Sequence, residues 1–160
     1  MTHHQNDPKN DQKSNPITIV HVVFRFDYGG MENGIVNLVN HSDPLKFQHV
    51  IIALSEVADF AERVTANNVR FVALNKKPGK DLPMYWRLFK ALRSIRPEIY
   101  HSRNIGTIDT VPIARLAGVK VCIHGEHGWD IHDPDGTNKK YRWMRKLMSP
   151  FISRFMTVSR

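Results

Sequence analysis

The chain has 160 residues, 41% of them hydrophobic, which is enough for one domain with a sizeable core and leaves no apolar run near the ~18–20 residues of a membrane span. Its formal charge is +8, and residues 136–160 hold seven bases (Lys139, Lys140, Arg142, Arg145, Lys146, Arg154, Arg160) and no acid, so nearly all of the excess is local. The single cysteine, Cys122, excludes an internal disulfide and fits a cytoplasmic protein.

Residues 1–16 are rich in Asn, Gln, Asp and Lys, carry no apolar signal-peptide core and are expected to be a disordered lead-in. From there the hydrophobic pattern alternates. Strands are expected over 17–25, 47–54, 69–74, 98–101, 119–123 and 155–158. Helices are expected over 31–41 (Ile35, Leu38 and Val39 inward), 59–67, 83–95 (Trp86, Phe89, Leu92 and Ile95 inward), 107–117 with Pro112 inside, and 137–152 with a break near Pro150. Near-continuous apolar strands separated by helices predict a doubly wound, mostly parallel α/β sheet of Rossmann type over 17–160. Ligands of such sheets sit beyond the carboxyl ends of the strands, here the polar loops 27–30, 102–106 and 125–136.

The first of these loops is the most informative. A strand runs into Gly29-Gly30 and a helix starts behind them. Two glycines allow positive φ and a close approach of ligand, and the helix aims free N–H groups and its positive dipole end at the gap, as a phosphate or diphosphate site requires. A tight turn explains the same residues. The order G-G-x-x-x-G is neither the dinucleotide fingerprint nor a Walker loop. Glu32 falls in the first helical turn, where it either serves the dipole or orients a sugar hydroxyl.

After the fourth strand, Arg103 suits a phosphate or carboxylate and Asn104 a sugar hydroxyl; the alternative has His101 packed in the sheet and Asn104 capping the next helix. After the fifth, Glu126, His127, Trp129 and Asp130 crowd one loop: Trp129 can stack on a sugar, and His127 can donate to a sugar hydroxyl or a developing charge. His124, His127 and His132 with Asp130 or Asp133 match no zinc spacing, so no metal is expected. The bases of 139–154 are interleaved with Tyr141, Trp143, Met144, Leu147, Met148, Phe151 and Ile152, a pattern that suits an anionic membrane surface. Because the helix must also pack on the sheet, most of those apolar residues are expected in the core.

Taken together, H-V-V-F-R-F followed by D-Y-G-G-M-E, then H-S-R-N, A-G-V, G-E-H-G-W-D and a basic helix leading to F-M-T-V-S-R resembles the N-terminal half of family-4 glycosyltransferases of GT-B fold. The likeness is strongest to sugar transferases of exopolysaccharide loci and spans 17–160. It implies retaining transfer of a sugar from a nucleotide-diphosphate donor to a glycan or lipid-linked acceptor. Gly29 and Gly30 would then lie at the donor diphosphate and His127 at the donor sugar, as the catalytic histidine. Glu32, Arg103, Asn104, Glu126, Trp129 and Asp130 would face sugar or acceptor, and Lys139, Lys140, Arg142, Arg145 and Lys146 an anionic membrane. No cofactor and no metal are implied, and the place of work is the cytoplasm, at the inner membrane surface.

The family's C-terminal Rossmann domain, which carries the base and ribose pocket and a pair of glutamates eight positions apart, is missing from this chain. The chain alone is therefore not expected to turn over substrate. The competing reading is a stand-alone Rossmann-like module that binds an anion, a nucleotide or a scaffold partner. Specific nucleic-acid binding is not expected, since only the basic segment speaks for it.

Overall fold

A computed structural model describes residues 15–127 and 137–157. The main elements in chain order are β1 (Ile17–Val23), α1 (Gly30–Asn40), β2 (Phe47–Ala53), β3 (Val69–Ala73), α2 (Leu82–Ile95), β4 (Ile99–Arg103), α3 (Val111–Leu116), β5 (Val121–Glu126), α4 (Lys139–Met148) and β6 (Arg154–Thr157). All the strand pairs are parallel, in the order β3-β2-β1-β4-β5-β6. The expected α/β class and parallel sheet are present. The order reverses between β1 and β4, and that reversal opens a crevice at the carboxyl edge.

Side-chain alternation splits the sheet into two faces. Val20, Val22, Val50, Ile52, Tyr100 and Cys122 pack with Met84, Leu88 and Leu92 of α2 and with Val111 and Ala114 of α3. On the opposite face Val23, Ile51 and Ala53 pack with Ile35, Val36 and Val39 of α1 and with Phe26 and Phe60. On that second face the register also sets His21 of β1 beside His101 of β4.

Several expected boundaries move, each for a local reason. Residues 59–67 give only a short 3₁₀ turn, Asp59–Arg63, because Asn40 Oδ1 takes the N–H groups of Thr65 and Ala66 that a longer helix would have used itself. The expected helix over 107–117 divides at Pro112: a 3₁₀ turn, Ile105–Thr110, precedes α3, and the proline falls in the first turn of α3 where its missing N–H costs nothing. Leu38 is 48% and Trp86 57% exposed, so these two leave the expected inward sets; Ile35, Val39 and Leu92 are buried as expected, Phe89 and Ile95 pack at the core's edge, and Val36, Met84 and Leu88 join them. Trp86 lies outside, stacked on Phe89 with the Lys90 ammonium over its ring.

Two differences bear on function. First, β4 and β5 run past their expected ends, because Ser102 pairs with His124 and Arg103 with Gly125. Arg103 is therefore a buried sheet residue and not a loop residue. Second, α4 buries none of its residues. It lies mainly against the 105–110 turn, and Trp143, Leu147 and Phe151, with Phe155 and Met156 of β6, remain exposed. The expectation that its apolar residues enter the core is corrected: the turn holds α4 off the sheet.

Candidate active site at the carboxyl edge of the sheet

The ends of β1 and β4, the start of α1 and one side of α4 enclose a cleft of about 570 Å3, lined among others by Glu32, Arg103, Asn104, Asp109, Lys140 and Tyr141. The glycine pair enters it differently from the expectation. Gly29 has φ −172 and ψ 160, extended backbone open to any residue. A Cβ at Gly29 would collide with Glu32 Oε2, the far end of a flexible side chain, so a larger residue there would have to push the Glu32 carboxylate aside. A Cβ on Gly30 would meet nothing within 4 Å, so this first helical residue faces open space. Burial raises the Glu32 carboxyl above its usual range, against the pull of its own backbone N–H and of Arg103.

Arg103 is the centre of the site. Its side chain, with the residue only 5% exposed, points from β4 into the face shared with α1. Nη1 donates to His127 Nε2 at 3.0 Å. Nη2 faces His21 Nδ1 at 3.3 Å and His101 Nδ1 at 3.4 Å. Nε has no partner. Among the described residues no carboxylate forms a salt bridge with this guanidinium. Burial brings its pKa down to about 10, opposed by Glu32. The cation is therefore hydrogen-bonded only to neutral acceptors among the described residues and feels the Glu32 charge without an ion pair, a condition under which a buried arginine can receive an anion.

The histidines are neutral for physical reasons. Burial, then the charge of Arg103, pushes His101 down to about 3. The same two causes, in the same order, hold His21 well below and His127 below the usual imidazole range. Room for the rings comes from Gly125: a Cβ there would sit 2.9 Å from His101 Nε2 and 3.2 Å from His127 Nε2. Asn104, at φ 59, accepts the His127 N–H through Oδ1 at 2.9 Å and gives its own N–H to Gly125 O at 2.7 Å. No side-chain cap is formed by Asn104, which instead fastens the backbone that carries His127.

Glu126 lies apart from this group. The alternation of β5 sends His124 and Glu126 to the other face, where His124 Nδ1 meets Ser102 Oγ at 2.8 Å. Glu126 forms a two-armed ion pair with Arg145 Nε and Nη2 at 2.5 and 2.9 Å, which takes Arg145 out of the free basic surface and ties α4 to β5. Burial works against ionisation of Glu126, yet the nearby His124 ring, its Nε2 3.6 Å away, and the Arg145 ion pair hold its pKa down to about 2. Lys139, Lys140, Arg142 and Lys146 are exposed along α4.

Trp129 and Asp130, with His132 and Asp133 of the metal alternative, lie outside the described residues. Within the described residues no group of three or more His, Cys, Asp or Glu side chains is placed to hold a metal ion. The structure thus brings Gly29, Gly30, Glu32, Arg103, Asn104 and His127 to one edge. It adds His21, His101 and Gly125, which the sequence reading did not select for the site. Their signal was a polar or absent side chain inside strands that are otherwise apolar.

A doubly wound parallel sheet with a crevice at its switch point defines a class, the Rossmann-like domains. Residues 28–160 match the model of Glycosyltransferase Family 4, and the chain belongs to that family. The fold is similar to that of HepE from Anabaena, solved in complex with UDP-glucose, with a TM-score of 0.62 and 12% identity. That match covers 87% of this chain and 36% of HepE, so the chain spans little more than a third of the neighbour's length. No curated protein matches the chain in sequence.

Proposed function

We propose that this chain is the N-terminal, acceptor-side domain of a retaining glycosyltransferase. The enzyme would move a hexose from a nucleotide-diphosphate donor to a glycan or lipid-linked acceptor in exopolysaccharide synthesis. The observation that carries the reading is the buried Arg103 cation, with no ion-pair partner among the described residues, beside His127 and in one cleft with Glu32 of the first turn of α1. A nucleotide sugar as donor agrees with the UDP-glucose bound by HepE.

In this reading the open side of Gly30 and the first-turn N–H groups of α1 meet the diphosphate. His127 receives a hydrogen bond from Arg103 at Nε2, so its neutral ring carries its proton on Nδ1 and offers that N–H to a sugar hydroxyl. Arg103 supplies positive charge where the leaving diphosphate develops negative charge. Glu32 and Asn104 border the acceptor side, while Glu126 holds α4 through Arg145. Trp129 and Asp130 remain sugar-stacking and hydroxyl-binding candidates. A C-terminal Rossmann domain supplies the nucleoside pocket and the remaining charge, so the chain alone does not turn over. Substitution tests the roles: with the C-terminal domain present, Gly30→Val and His127→Ala should each cut transfer at least about 100-fold with the fold retained. Wild-type rates in both variants would remove these residues from the site.

Among the described residues no helix is long and apolar enough to cross a membrane. We place the enzyme in the cytoplasm, peripheral at the inner membrane, on the strength of α4. Trp143, Leu147 and Phe151 recur every fourth residue along one exposed stripe, flanked by Lys139, Lys140, Arg142 and Lys146. Each base near an anionic surface contributes about 1 kcal/mol. The chain should sediment with phosphatidylglycerol vesicles, with a blue shift of tryptophan emission, and not with phosphatidylcholine vesicles. Reversing the four bases to Glu should abolish this, and equal binding to both lipids would contradict it.

A further inference from the structure

The buried histidines on the α1 face do more than surround Arg103. His21 Nε2 lies 3.1 Å from His49 Nδ1. His49 Nε2 lies 2.8 Å from Ser42 Oγ, and Ser42 Oγ donates to Val39 O at 3.1 Å. The line has two fixed ends. A guanidinium only donates, and a backbone carbonyl only accepts. Starting from Arg103 Nη2, His21 must accept at Nδ1 and so carries its proton on Nε2. His49 must then accept at Nδ1 and carry its proton on Nε2. Ser42 accepts from His49 and passes its own proton to Val39 O. Every tautomer in the line is determined.

From this geometry we infer that His21, His49 and Ser42 form a one-directional positioning relay that fixes the Arg103 guanidinium by tying it to the C-terminal turn of α1. Assigning Arg103 to the active site rests on the function proposed above; the relay itself does not. The same helix carries Glu32, whose charge acts on Arg103, at its other end, so the relay and Glu32 relate the arginine to both ends of one rigid element. The His21–His49 link is buried, with His21 1% and His49 3% exposed, where hydrogen bonds polarise one another and water competes little, and the Ser42 end is part-buried. The His21 and His49 rings lie 23° from parallel with centroids 5.3 Å apart, as an in-plane ring-to-ring hydrogen bond requires. The chain of neutral acceptors also explains how a buried cation is kept in place without a carboxylate that would cancel it.

Long-range proton–nitrogen correlation spectra of the chain, labelled with 15N at histidine and arginine, test the relay. They should report an Nε2–H tautomer at His21, His49 and His101 and an Nδ1–H tautomer at His127. His49→Leu removes one link without touching Arg103. It should speed hydrogen exchange of the Arg103 side chain roughly ten-fold and shift the His127 ring signals, since one hydrogen bond of the chain is lost. His49→Gln, which keeps a donor and an acceptor, should return both towards wild type. A folded His49→Leu protein with unchanged Arg103 and His127 signals would overturn the relay. So would an Nδ1–H tautomer at His21 or His49 in the wild type, which decides the question even if the variant fails to fold. These readouts do not involve catalysis, so a failure of the glycosyl-transfer reading would leave them standing.

Discussion

Lowering the pH from about 7.5 to about 4.5 is expected to remove about 3 kcal/mol of stability through His101, with His21 adding in the same direction. Both imidazoles are held below their usual range, His101 at about 3, by burial first and the Arg103 charge second. The sign follows from proton counts. Below ~6.5 the unfolded chain takes up protons at these histidines and the folded chain does not, so stability falls as pH falls. His101 contributes about 1.36 kcal/mol per pH unit, and the two units below ~6.5 give the figure. His49 and His127 shift in the same direction and add to it. Glu126 enters lower down: with its folded pKa at about 2, its contribution is intact above ~4.5 and is lost as pH falls through that range. Set against a typical domain stability of about 5–15 kcal/mol, the histidine term is a large fraction of the total by about pH 4.5. Urea unfolding at several pH values reads it, and His101→Gln should reduce the slope by about one proton. A stability flat across this window would show that the imidazoles are protonated in the folded protein.

Gly125→Ala should cost about 1–3 kcal/mol and disable the site at the same time. Gly125 lies inside β5, paired with Arg103 of β4, where alanine is ordinarily tolerated. Here the added methyl would stand 2.9 Å from His101 Nε2 and 3.2 Å from His127 Nε2. Both rings are constrained: His101 by the sheet and the Arg103 contact, His127 by Arg103 on its ring and Asn104 on its backbone. The way out is for His127 to leave the guanidinium, because His101 is enclosed. The expected result is a folded protein with a lower midpoint in urea, an altered His127 ring signal and, with the C-terminal domain present, transfer lowered at least about 100-fold. Wild-type stability and an unmoved His127 would mean that the glycine is not holding space for the rings.

The alternation of strand and helix was legible because buried parallel strands read as apolar runs and α1 and α2 as periodic ones. Gly29-Gly30, Arg103 and His127 were legible because each follows a strand at the edge where such sheets bind ligands. The rest of the site was hidden by distance along the chain. Arg103 meets His21 across 82 positions, a pairing that only the β1–β4 register creates. A histidine inside an apolar strand reads as packing until its neighbour across the sheet is known. Glu126 read as a loop carboxylate because the extra pairing of β5 could not be seen, and that pairing turns it to the α4 face. The amphipathic pattern of α4 was visible, but pattern alone does not say whether the apolar stripe meets the sheet or the solvent; the 105–110 turn decides it.

The central claim is that this domain holds one side of a donor site completed by a second Rossmann domain. Titration calorimetry with UDP-glucose and with GDP-mannose tests it most directly, on this chain alone and on the chain joined to a C-terminal domain. The account predicts weak or absent binding by the short chain, and tight binding with turnover in the joined protein. Tight, saturable binding by the short chain alone would contradict it and identify a self-contained binding module.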